Sequence, residues 1–543
     1  MDSTHREASK TKLFKGAAVL AGAGLFARLL GAVYRIPLAN MLGDEGVGLF
    51  EMANPIYFFL LSISVAGIPL AISKMIAEKK AVGEGNAARK VLRVAVVMMA
   101  LSGLAASLAL FFLAPYIAEK VYRDPRAALP LRAICPSLAF MTVMSAMRGY
   151  FQGVQKMVPS AVSQIMEQVA RVGFMLLAAA LLLPKGLEYA AAGAASGAAI
   201  GAFAGLALIA VIYFYVRNRP DYRIEPGSGR AERSGTIAFR ILSLSVPVAL
   251  TSSLASIKSV VDAAIVPGRL AAAGFPTSEA TALYGQLNGM AFPLVYFPTS
   301  IIAGLASATV PAISECNAKG DMEGIKERAI YVLKLTSVIA FPAAVGLFVL
   351  ASPITNLLFG RPDVGPVLMA LSGACAFLCL QQTSSSILSG MGHVGDPLKS
   401  AVLGVTVKIA LEFYLTSMHG LNVKGAALST VAGSFVSVVM NLIQLERRLG
   451  FKVGYAKAFW RPMLASLVMG GIVYLTQGRV EALMGAGKVS ALAGVGIGAF
   501  CYLLALMLLG GLNPDELEAI PLVGRKAAAL SRRLGSIGGK RRC

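Results

Sequence analysis

Charged residues are scarce in this chain, and their scarcity argues against a soluble fold. Asp, Glu, Lys and Arg make up 14% of the 543 residues, whereas about a quarter of a soluble domain is charged. Hydrophobic residues make up 56%. A soluble protein with this composition would expose extensive apolar surface to water, which favours aggregation. The composition therefore indicates an integral membrane protein.

Histidine is also scarce, and this argues against metal-dependent and acid–base enzymes. The chain holds His5, His393 and His419, and none of them forms a cluster with nearby carboxylates. The sequence has no glycine-rich loop ending in Lys-Ser or Lys-Thr, the motif that cradles the phosphates of ATP. We predict a non-enzymatic protein without metal, cofactor or ATP site, driven by a coupling cation or the membrane potential. A membrane-embedded transferase with intramembrane carboxylates is the enzymatic alternative.

Cysteine and tryptophan are rare, whereas glycine is abundant. The six cysteines are scattered, and only Cys375 and Cys379 lie close together, so the spacing indicates neither a disulfide framework nor a metal site. One tryptophan and 56 glycines complete the pattern. Small residues allow membrane helices to approach closely, because lipid removes the hydrophobic drive between them.

Long apolar runs predict an all-α polytopic membrane protein. A helix needs roughly 20 mainly apolar residues to cross the hydrocarbon, and the runs lack the alternation of a membrane β-barrel. No small-residue cleavage site follows the first run, so we predict that it stays as a helix. The windows predict about fourteen spans, at 13–38, 48–77, 91–114, 129–151, 160–183, 190–216, 239–266, 282–310, 329–351, 365–390, 398–418, 424–445, 459–476 and 489–510.

The net charge of +22 is explained by topology. Most Lys and Arg residues lie between spans, on the same side of the membrane as the N-terminus. Because cytoplasmic loops carry the excess of Lys and Arg, both termini are predicted to be cytoplasmic. The basic loops would also attract anionic membrane lipids. This distribution favours membrane lipids, and not nucleic acid, as the partner of the positive charge.

Weak internal similarity predicts two six-helix lobes related by duplication. The segment from Gly48 to Phe58 resembles the segment from Gly285 to Phe297, and a Pro- and Gly-containing basic stretch separates the halves. Chance matches in Gly- and Ala-rich apolar sequence are the alternative. Duplicated membrane proteins usually bind substrate at the repeat interface. The predicted organisation is an N-lobe at 1–216, a cytoplasmic linker at 217–238, a C-lobe at 239–450, two additional helices at 451–510 and a basic cytoplasmic tail at 511–543.

Six cations lie inside predicted spans, where each costs roughly 2.5–3.5 kcal/mol on insertion scales. They are Arg28, Arg35, Arg148, Arg171, Lys258 and Lys408. Three have a carboxylate four residues away, a spacing that stacks two side chains on one helix face. These predicted pairs are Glu167 with Arg171, Lys258 with Asp262, and Lys408 with Glu412. Mutual neutralisation and a functional role are both open for them, and Asp262 is a candidate ligand for a coupling cation.

Arg28 and Arg35 have no carboxylate at helical spacing. They lie two turns apart on one stripe of the first span. Guanidinium groups suit phosphate because their planar fork donates two hydrogen bonds at once. We predict that Arg28 faces an anion site, whereas Arg35 either joins it or extends to the outer interface. Further polar residues in the repeat-related spans either line a wet cavity or join helices by hydrogen bonds: Glu51, Asn54, Gln286 and Asn288.

Several loose motifs resemble the stage V sporulation protein B and polysaccharide-biosynthesis branch of the MOP flippase superfamily. They include Ala27-Arg28-Leu-Leu-Gly31, Tyr34-Arg35-Ile-Pro37 and Asp262-Ala-Ala-Ile-Val-Pro267. The branch is similar to the MurJ lipid II flippases. The resemblance covers essentially the whole chain. It implies a V-shaped fold, a cationic cavity containing Arg28 and Arg35, and alternating access in a bacterial plasma membrane.

One departure limits how far the family's residue roles transfer. The better-known MurJ proteins have an Arg and a Glu late in the second helix, where this chain has Ser62-Ile-Ser-Val-Ala-Gly-Ile-Pro69. Lys258 and Asp262 are candidates to supply cavity charge instead. With this resemblance we predict a monomeric flippase for undecaprenyl-pyrophosphate-linked peptidoglycan precursor. The alternatives are export of another lipid-linked oligosaccharide, cation-coupled drug efflux, and a non-transport membrane protein of sporulation.

Overall fold

The fold of the protein is helical wherever a computed structural model describes it. The structure describes residues 19–217, 232–450, 454–484 and 487–510, apart from positions 21, 28 and 32. Every regular element in these ranges is an α-, π- or 3₁₀-helix. The predicted all-α class is therefore confirmed.

Eleven helical stretches in the described ranges are long and apolar enough to cross a membrane. They differ from the predicted fourteen spans at three places. The stretch Gly22–Ala81 holds two predicted spans, and the predicted spans at 239–266 and 398–418 are not among the eleven. The polytopic membrane fold is thus confirmed, while the count of fourteen stays a prediction.

The chain divides into two compact units, Met1–Gly289 and Met290–Cys543. In the first unit, a π-helix at Ile117–Val121 and 3₁₀ turns at Pro125–Ala127 and Leu183–Lys185 join longer helices. A second π-helix, Gln286–Ala291, runs across the boundary along the chain. The α-helices of this unit are α1 (Arg35–Val65), α2 (Ile68–Ala81), α3 (Gly85–Tyr116), α4 (Ala128–Gly153), α5 (Val158–Leu182), α6 (Leu187–Val216), α7 (Ser234–Ala272) and α8 (Thr277–Gly285).

The second unit contains the remaining helices and one 3₁₀ turn at Pro362–Val364. Its buried core includes Ile313, Leu333, Ile387 and Leu445 from four different helices. The α-helices are α9 (Phe292–Ala318), α10 (Met322–Val349), α11 (Ala351–Phe359), α12 (Gly365–Gly390), α13 (Gly395–Leu415), α14 (Val423–Leu449), α15 (Ala456–Met484) and α16 (Lys488–Leu508).

Glycines at every fourth position let α5 and α6 pack closely. A Cβ on Gly201 would lie 2.6 Å from the carbonyl oxygen of Glu167, and one on Gly197 would lie 2.8 Å from that of Arg171. Side chains cannot enter such spaces. The stripe is formed by Gly193, Gly197, Gly201 and Gly205, and it is the kind of small-residue interface that drives helix association in lipid.

The predicted second span is broken at Gly67. Its φ of 80° is in the left-handed region, where a side chain is strained, and α2 restarts directly after it with Pro69 in its first turn. A Cβ at this position would also lie 2.9 Å from the carbonyl oxygen of Ser245 on α7. The predicted span over 48–77 is therefore interrupted at Gly67, because a close helix contact requires a glycine turn there.

Helix α7 packs within the first compact unit. Arg240 forms an ion pair with Glu78 at 2.7 Å, and Lys79 reaches Glu232 at 2.7 Å. The hydrogen bond from Lys79 lowers the pKa of the Glu232 carboxyl below its usual range. The predicted lobes at 1–216 and 239–450 describe a sequence duplication, which is a different partition from these compact units, and they stay a prediction.

Candidate functional site

Arg35 and Glu51 form an ion pair in the first unit. The Nη1 atom of Arg35 lies 2.8 Å from Oε1 of Glu51. Sixteen residues of straight helix would separate them by about 24 Å. They meet because α1 is interrupted at Gly43, whose φ of 64° is favourable only for glycine. A quarter of the Arg35 side chain is exposed, against 10% for Glu51.

The carboxylate of Glu51 is held from a second side. Nδ2 of Asn54 donates to Oε2 of Glu51 at 3.2 Å. Oδ1 of Asn54 is buried and has no hydrogen-bond partner among the described residues. The π-helix lies against this pair, since Arg35 also donates to the backbone oxygen of Asn288 at 3.5 Å. A Cβ at Gly289 would lie 3.6 Å from Cγ of Glu51.

A buried hydrogen bond also links α1 to the π-helix near the Arg35–Glu51 pair. Nε2 of Gln286 donates to Oδ2 of Asp44 at 2.8 Å, and the Asn288 side chain donates to the Tyr284 carbonyl at 3.5 Å. The structure therefore brings together five residues that the sequence predicted for the site, and it adds Asp44. We call this set the Arg35 cluster: Arg35, Asp44, Glu51, Asn54, Gln286 and Asn288.

These contacts add a partner to Arg35 and correct the pairing predicted for Arg171. The sequence places no carboxylate at helical spacing from Arg35, and Glu51 neutralises it instead across the Gly43 turn. Glu167 pairs with Arg148 at 2.9 Å and not with Arg171. Nη2 of Arg148 also reaches Oγ of Ser163 at 2.9 Å, which fixes its direction. The prediction from four-residue spacing is wrong at Glu167, because the neighbouring helix α4 places Arg148 within ion-pair distance of this carboxylate.

Arg171 remains near this second pair with part of its hydrogen-bonding capacity unused. Its Nε atom is buried and has no hydrogen-bond partner among the described residues. Both Arg171 and Glu167 act electrostatically on the fully buried Tyr57 hydroxyl. The polar interior of the first unit thus continues beyond the Arg35 cluster, along α1 and α5.

The other predicted pairs behave differently from each other. Lys408 and Glu412 form an ion pair at 2.9 Å with only 2% and 1% of their side chains exposed, as the spacing predicted. The described ion pairs do not include one between Lys258 and Asp262. Asp262 is buried on α7 and has an interaction of its own. Arg28, the other arginine of the predicted anion site, lies outside the described residues.

An apolar cavity of about 530 Å³ lies in the second unit. Its walls come from α9, α10, α11, α15 and α16, with Phe297, Leu350, Met469 and Val473 among the lining residues. Tyr502 also lines it, and its hydroxyl donates to the backbone oxygen of Val338 at 2.8 Å. The cavity can therefore accept a hydrocarbon chain without leaving a buried donor unpaired. Sequence reasoning missed it, because its lining looks like ordinary membrane helix.

Metal-ligating residues do not converge in the ranges that the structure describes. No group of three or more His, Cys, Asp or Glu side chains there could hold a metal ion. Cys135, Cys316, Cys375 and Cys379 are buried as free thiols.

Comparison with known proteins agrees with this geometry. The family model described as "Polysaccharide biosynthesis protein" matches residues 13–317, which is more than half of the chain. A second model, MatE, matches residues 288–414. A solved structure of lipid II flippase MurJ in an inward closed conformation superposes with a TM-score of 0.69 at 18% identity, over 90% of this chain and 98% of that one. This likeness confirms the fold.

Two proteins of Bacillus subtilis (strain 168) match across most of their length. Stage V sporulation protein B is 30% identical over 95% of this chain and 99% of its own. Lipid II flippase MurJ is 27% identical over 86% of this chain and 89% of its own. The resemblance predicted from the first-helix motifs is thereby confirmed. The chain belongs to the polysaccharide biosynthesis protein family of the MOP flippase superfamily, and it is a multi-pass transporter of the bacterial membrane.

Proposed function

We propose that the protein moves undecaprenyl-pyrophosphate-linked peptidoglycan precursor, lipid II, from the inner to the outer leaflet of the plasma membrane. The observation that carries this proposal is the Arg35 cluster, which holds an arginine side chain that is a quarter exposed inside an apolar helical unit. A buried arginine is expensive in a membrane and is usually functional. Its planar fork matches the oxygens of a pyrophosphate diester.

Charge supports an anionic substrate over a cationic drug. A drug-efflux cavity would favour acids and aromatic side chains that face a cationic substrate. In the first unit the carboxylates Glu51 and Glu167 are each held by an arginine, at 2.8 Å and 2.9 Å. These acids are therefore engaged, while Arg35 keeps a quarter of its side chain exposed.

The apolar cavity of the second unit supports a substrate with a hydrocarbon chain. A prenyl chain leaves the bilayer core at little cost only for surroundings that are equally apolar, because lipid tails are themselves apolar. The lining from Phe297 to Tyr502 offers such surroundings. We propose that part of the prenyl chain enters this cavity during transport. A coupling cation or the membrane potential would supply the energy, and Asp262 stays the candidate cation ligand.

The test is flipping of fluorescent lipid II by purified protein in proteoliposomes. We expect Arg35→Ala and Arg28→Ala to reduce the flipping rate by at least tenfold, whereas Arg35→Lys keeps the charge but loses the fork and should be intermediate. Arg240→Ala is the matched control. Arg240 also pairs with a carboxylate, Glu78 at 2.7 Å, but it lies at the start of α7 and is 42% exposed.

The outcomes separate the candidate functions. Wild-type flipping of lipid II that is lost in Arg35→Ala and kept in Arg240→Ala supports the proposal. Flipping of a different lipid-linked oligosaccharide, without flipping of lipid II, would identify that oligosaccharide as the substrate of the site. Unimpaired lipid II flipping by Arg35→Ala and by Arg28→Ala would refute the assigned site.

A further inference from the structure

The hydrogen bonds around Glu51 leave one buried acceptor unfilled. Oε1 of Glu51 accepts from Arg35 at 2.8 Å, and Oε2 accepts from Nδ2 of Asn54 at 3.2 Å. Oδ1 of the same Asn54 is buried without a partner. A buried acceptor that lacks a donor costs roughly 1–3 kcal/mol. The pair of side chains is therefore one hydrogen short of full satisfaction.

A single proton on Glu51 supplies Oδ1 of Asn54 with a donor, while the amide nitrogen of Asn54 moves to the position that had no partner. A protonated Glu51 carries an O–H donor on Oε2, and a half-turn of the Asn54 amide presents Oδ1 to it. The hydroxyl of Glu51 then donates to Oδ1 of Asn54 across the same 3.2 Å contact. The amide group of Asn54 can serve either form of Glu51, because it has a donor at one end and an acceptor at the other.

Protonation of Glu51 would leave Arg35 without its counter-ion. The other groups that contact Arg35 are the Asn288 carbonyl at 3.5 Å and the Tyr34 ring, which neutralise no charge. A partly buried guanidinium without an anion is strongly unfavourable. The proton on Glu51 therefore raises the affinity of Arg35 for an external anion.

Neighbouring elements place no second charge in contact with Glu51 among the described residues. The π-helix contributes Gly289, with its ideal Cβ position 3.6 Å from Cγ of Glu51. Farther along α1, Asp44 is held by Gln286. The acid and cation of α5, Glu167 and Arg171, act instead on the hydroxyl of Tyr57. Arg35 is thus the charge that responds to the ionisation of Glu51.

We propose that Glu51 is a proton-operated counter-ion that couples proton uptake to binding of a pyrophosphate diester at Arg35. Ionised Glu51 forms the ion pair with Arg35. Protonated Glu51 donates a hydrogen bond to Asn54 instead, which leaves the Arg35 guanidinium available to the substrate. Coupling is reciprocal, so the bound pyrophosphate also favours the proton on Glu51. This inference rests on the proposed function, because it assigns the regulation of the same site.

The test is calorimetric binding of a lipid II analogue with a short prenyl chain to the detergent-solubilised protein. The analogue suits the purpose because both charges of a pyrophosphate diester stay fixed between about pH 5 and 8, so that a proton taken up on binding goes to the protein. Measurement in buffers of different ionisation enthalpy reports the protons taken up. For the wild type we expect proton uptake on binding, and affinity that rises by up to about tenfold for each unit of decreasing pH.

Two isosteric variants make the test specific. Glu51→Gln mimics the protonated form, since it carries no charge and its amide can donate to Oδ1 of Asn54. We expect it to bind without proton uptake, independently of pH and at least as tightly as the acidified wild type. Glu167→Gln is the matched control, because Glu167 pairs with an arginine at 2.9 Å in the same unit. It should keep the proton uptake of the wild type.

Each outcome decides the proposal. Proton uptake that persists in Glu51→Gln overturns it, and so does binding by the wild type without any uptake, a result that stands even if Glu51→Gln fails to fold. If the analogue binds at no pH, the proposed function fails instead. Infrared pH-difference spectra then decide the switch: a protonated-carboxyl band that Glu51→Gln loses and Glu167→Gln keeps supports it, and the absence of that band overturns it.

Discussion

At the scale of single residues, Lys408 and Glu412 form the most buried ion pair among the described residues. They lie one turn apart on α13, and their charged atoms are 2.9 Å apart. Glycine makes room for them, since a Cβ on Gly433 of α14 would lie 2.7 Å from Cβ of Lys408. The two charges are therefore enclosed at a close helix contact, where a lone charge would be very costly.

We predict that removing one partner of this pair destabilises the protein and that removing both restores much of the loss. Lys408→Met or Glu412→Leu alone leaves an uncompensated buried charge, a change that costs on the order of 3–5 kcal/mol in soluble proteins. The double variant leaves none. Thermal unfolding midpoints in detergent should fall for both single variants and recover in the double variant.

A matched pair at the surface provides the control. Lys319 and Glu315 have the same four-residue spacing and lie 2.6 Å apart, but both are more than half exposed. Lys319→Met and Glu315→Leu should change the midpoint little, because exposed pairs contribute about 0–1 kcal/mol. Equal sensitivity of the two pairs would contradict the importance of burial at Lys408.

The pairs also show what the sequence could predict at this scale. Lys408 with Glu412 was predictable, because both residues lie on one uninterrupted helix. Arg35 with Glu51 was not, because a backbone turn at Gly43 brings them together over sixteen residues. Glu167 has two arginines in reach of its helix face, and spacing alone does not reveal that α4 supplies the closer one.

At the scale of elements, the glycine stripe between α5 and α6 carries a testable prediction. Gly201→Ala places a Cβ 2.6 Å from Cβ of Arg171 and from the backbone oxygen of Glu167. Helices must move apart to accept it, and overpacking of this kind costs about 1–3 kcal/mol. We expect a lower thermal midpoint and a lower yield of monodisperse protein, measured by size-exclusion fluorescence.

Gly173 on the same helix pair is the control for this substitution. A Cβ there has no heavy atom within 4 Å, and alanine is favoured over glycine in a helix by about 1 kcal/mol. Gly173→Ala should leave the midpoint unchanged or raise it slightly. If Gly201→Ala is equally harmless, the close approach of α5 and α6 is not needed for stability.

Helix positions were largely predictable, and their interruptions were less so. The predicted span at 365–390 coincides with α12, and the span at 160–183 nearly coincides with α5. Apolar length defines such helices on its own. The break at Gly67 depends on the approach of Ser245 from α7, a tertiary contact that local sequence does not contain. The apolar cavity escaped prediction for the same reason.

At the scale of the whole molecule, positive charge marks one side of the membrane. The last turn of α2 carries Lys79 and Lys80, and the first turns of α3 carry Arg89 and Lys90. The short connection between α5 and α6 carries Lys185 as its only Lys or Arg. Because Lys and Arg accumulate in cytoplasmic loops, the first connection should be cytoplasmic and the second extracytoplasmic.

Cysteine labelling in intact cells tests this arrangement. Lys80 and Lys185 are both exposed, so Lys80→Cys and Lys185→Cys, in a background freed of the six native cysteines, should be equally reactive once membranes are opened. With a membrane-impermeant maleimide we expect labelling of Lys185→Cys in intact cells and of Lys80→Cys only after permeabilisation. The reverse labelling pattern would mean that the protein has the opposite orientation in the membrane, with both termini outside the cell. It would also reverse the side from which the Arg35 cluster meets its substrate.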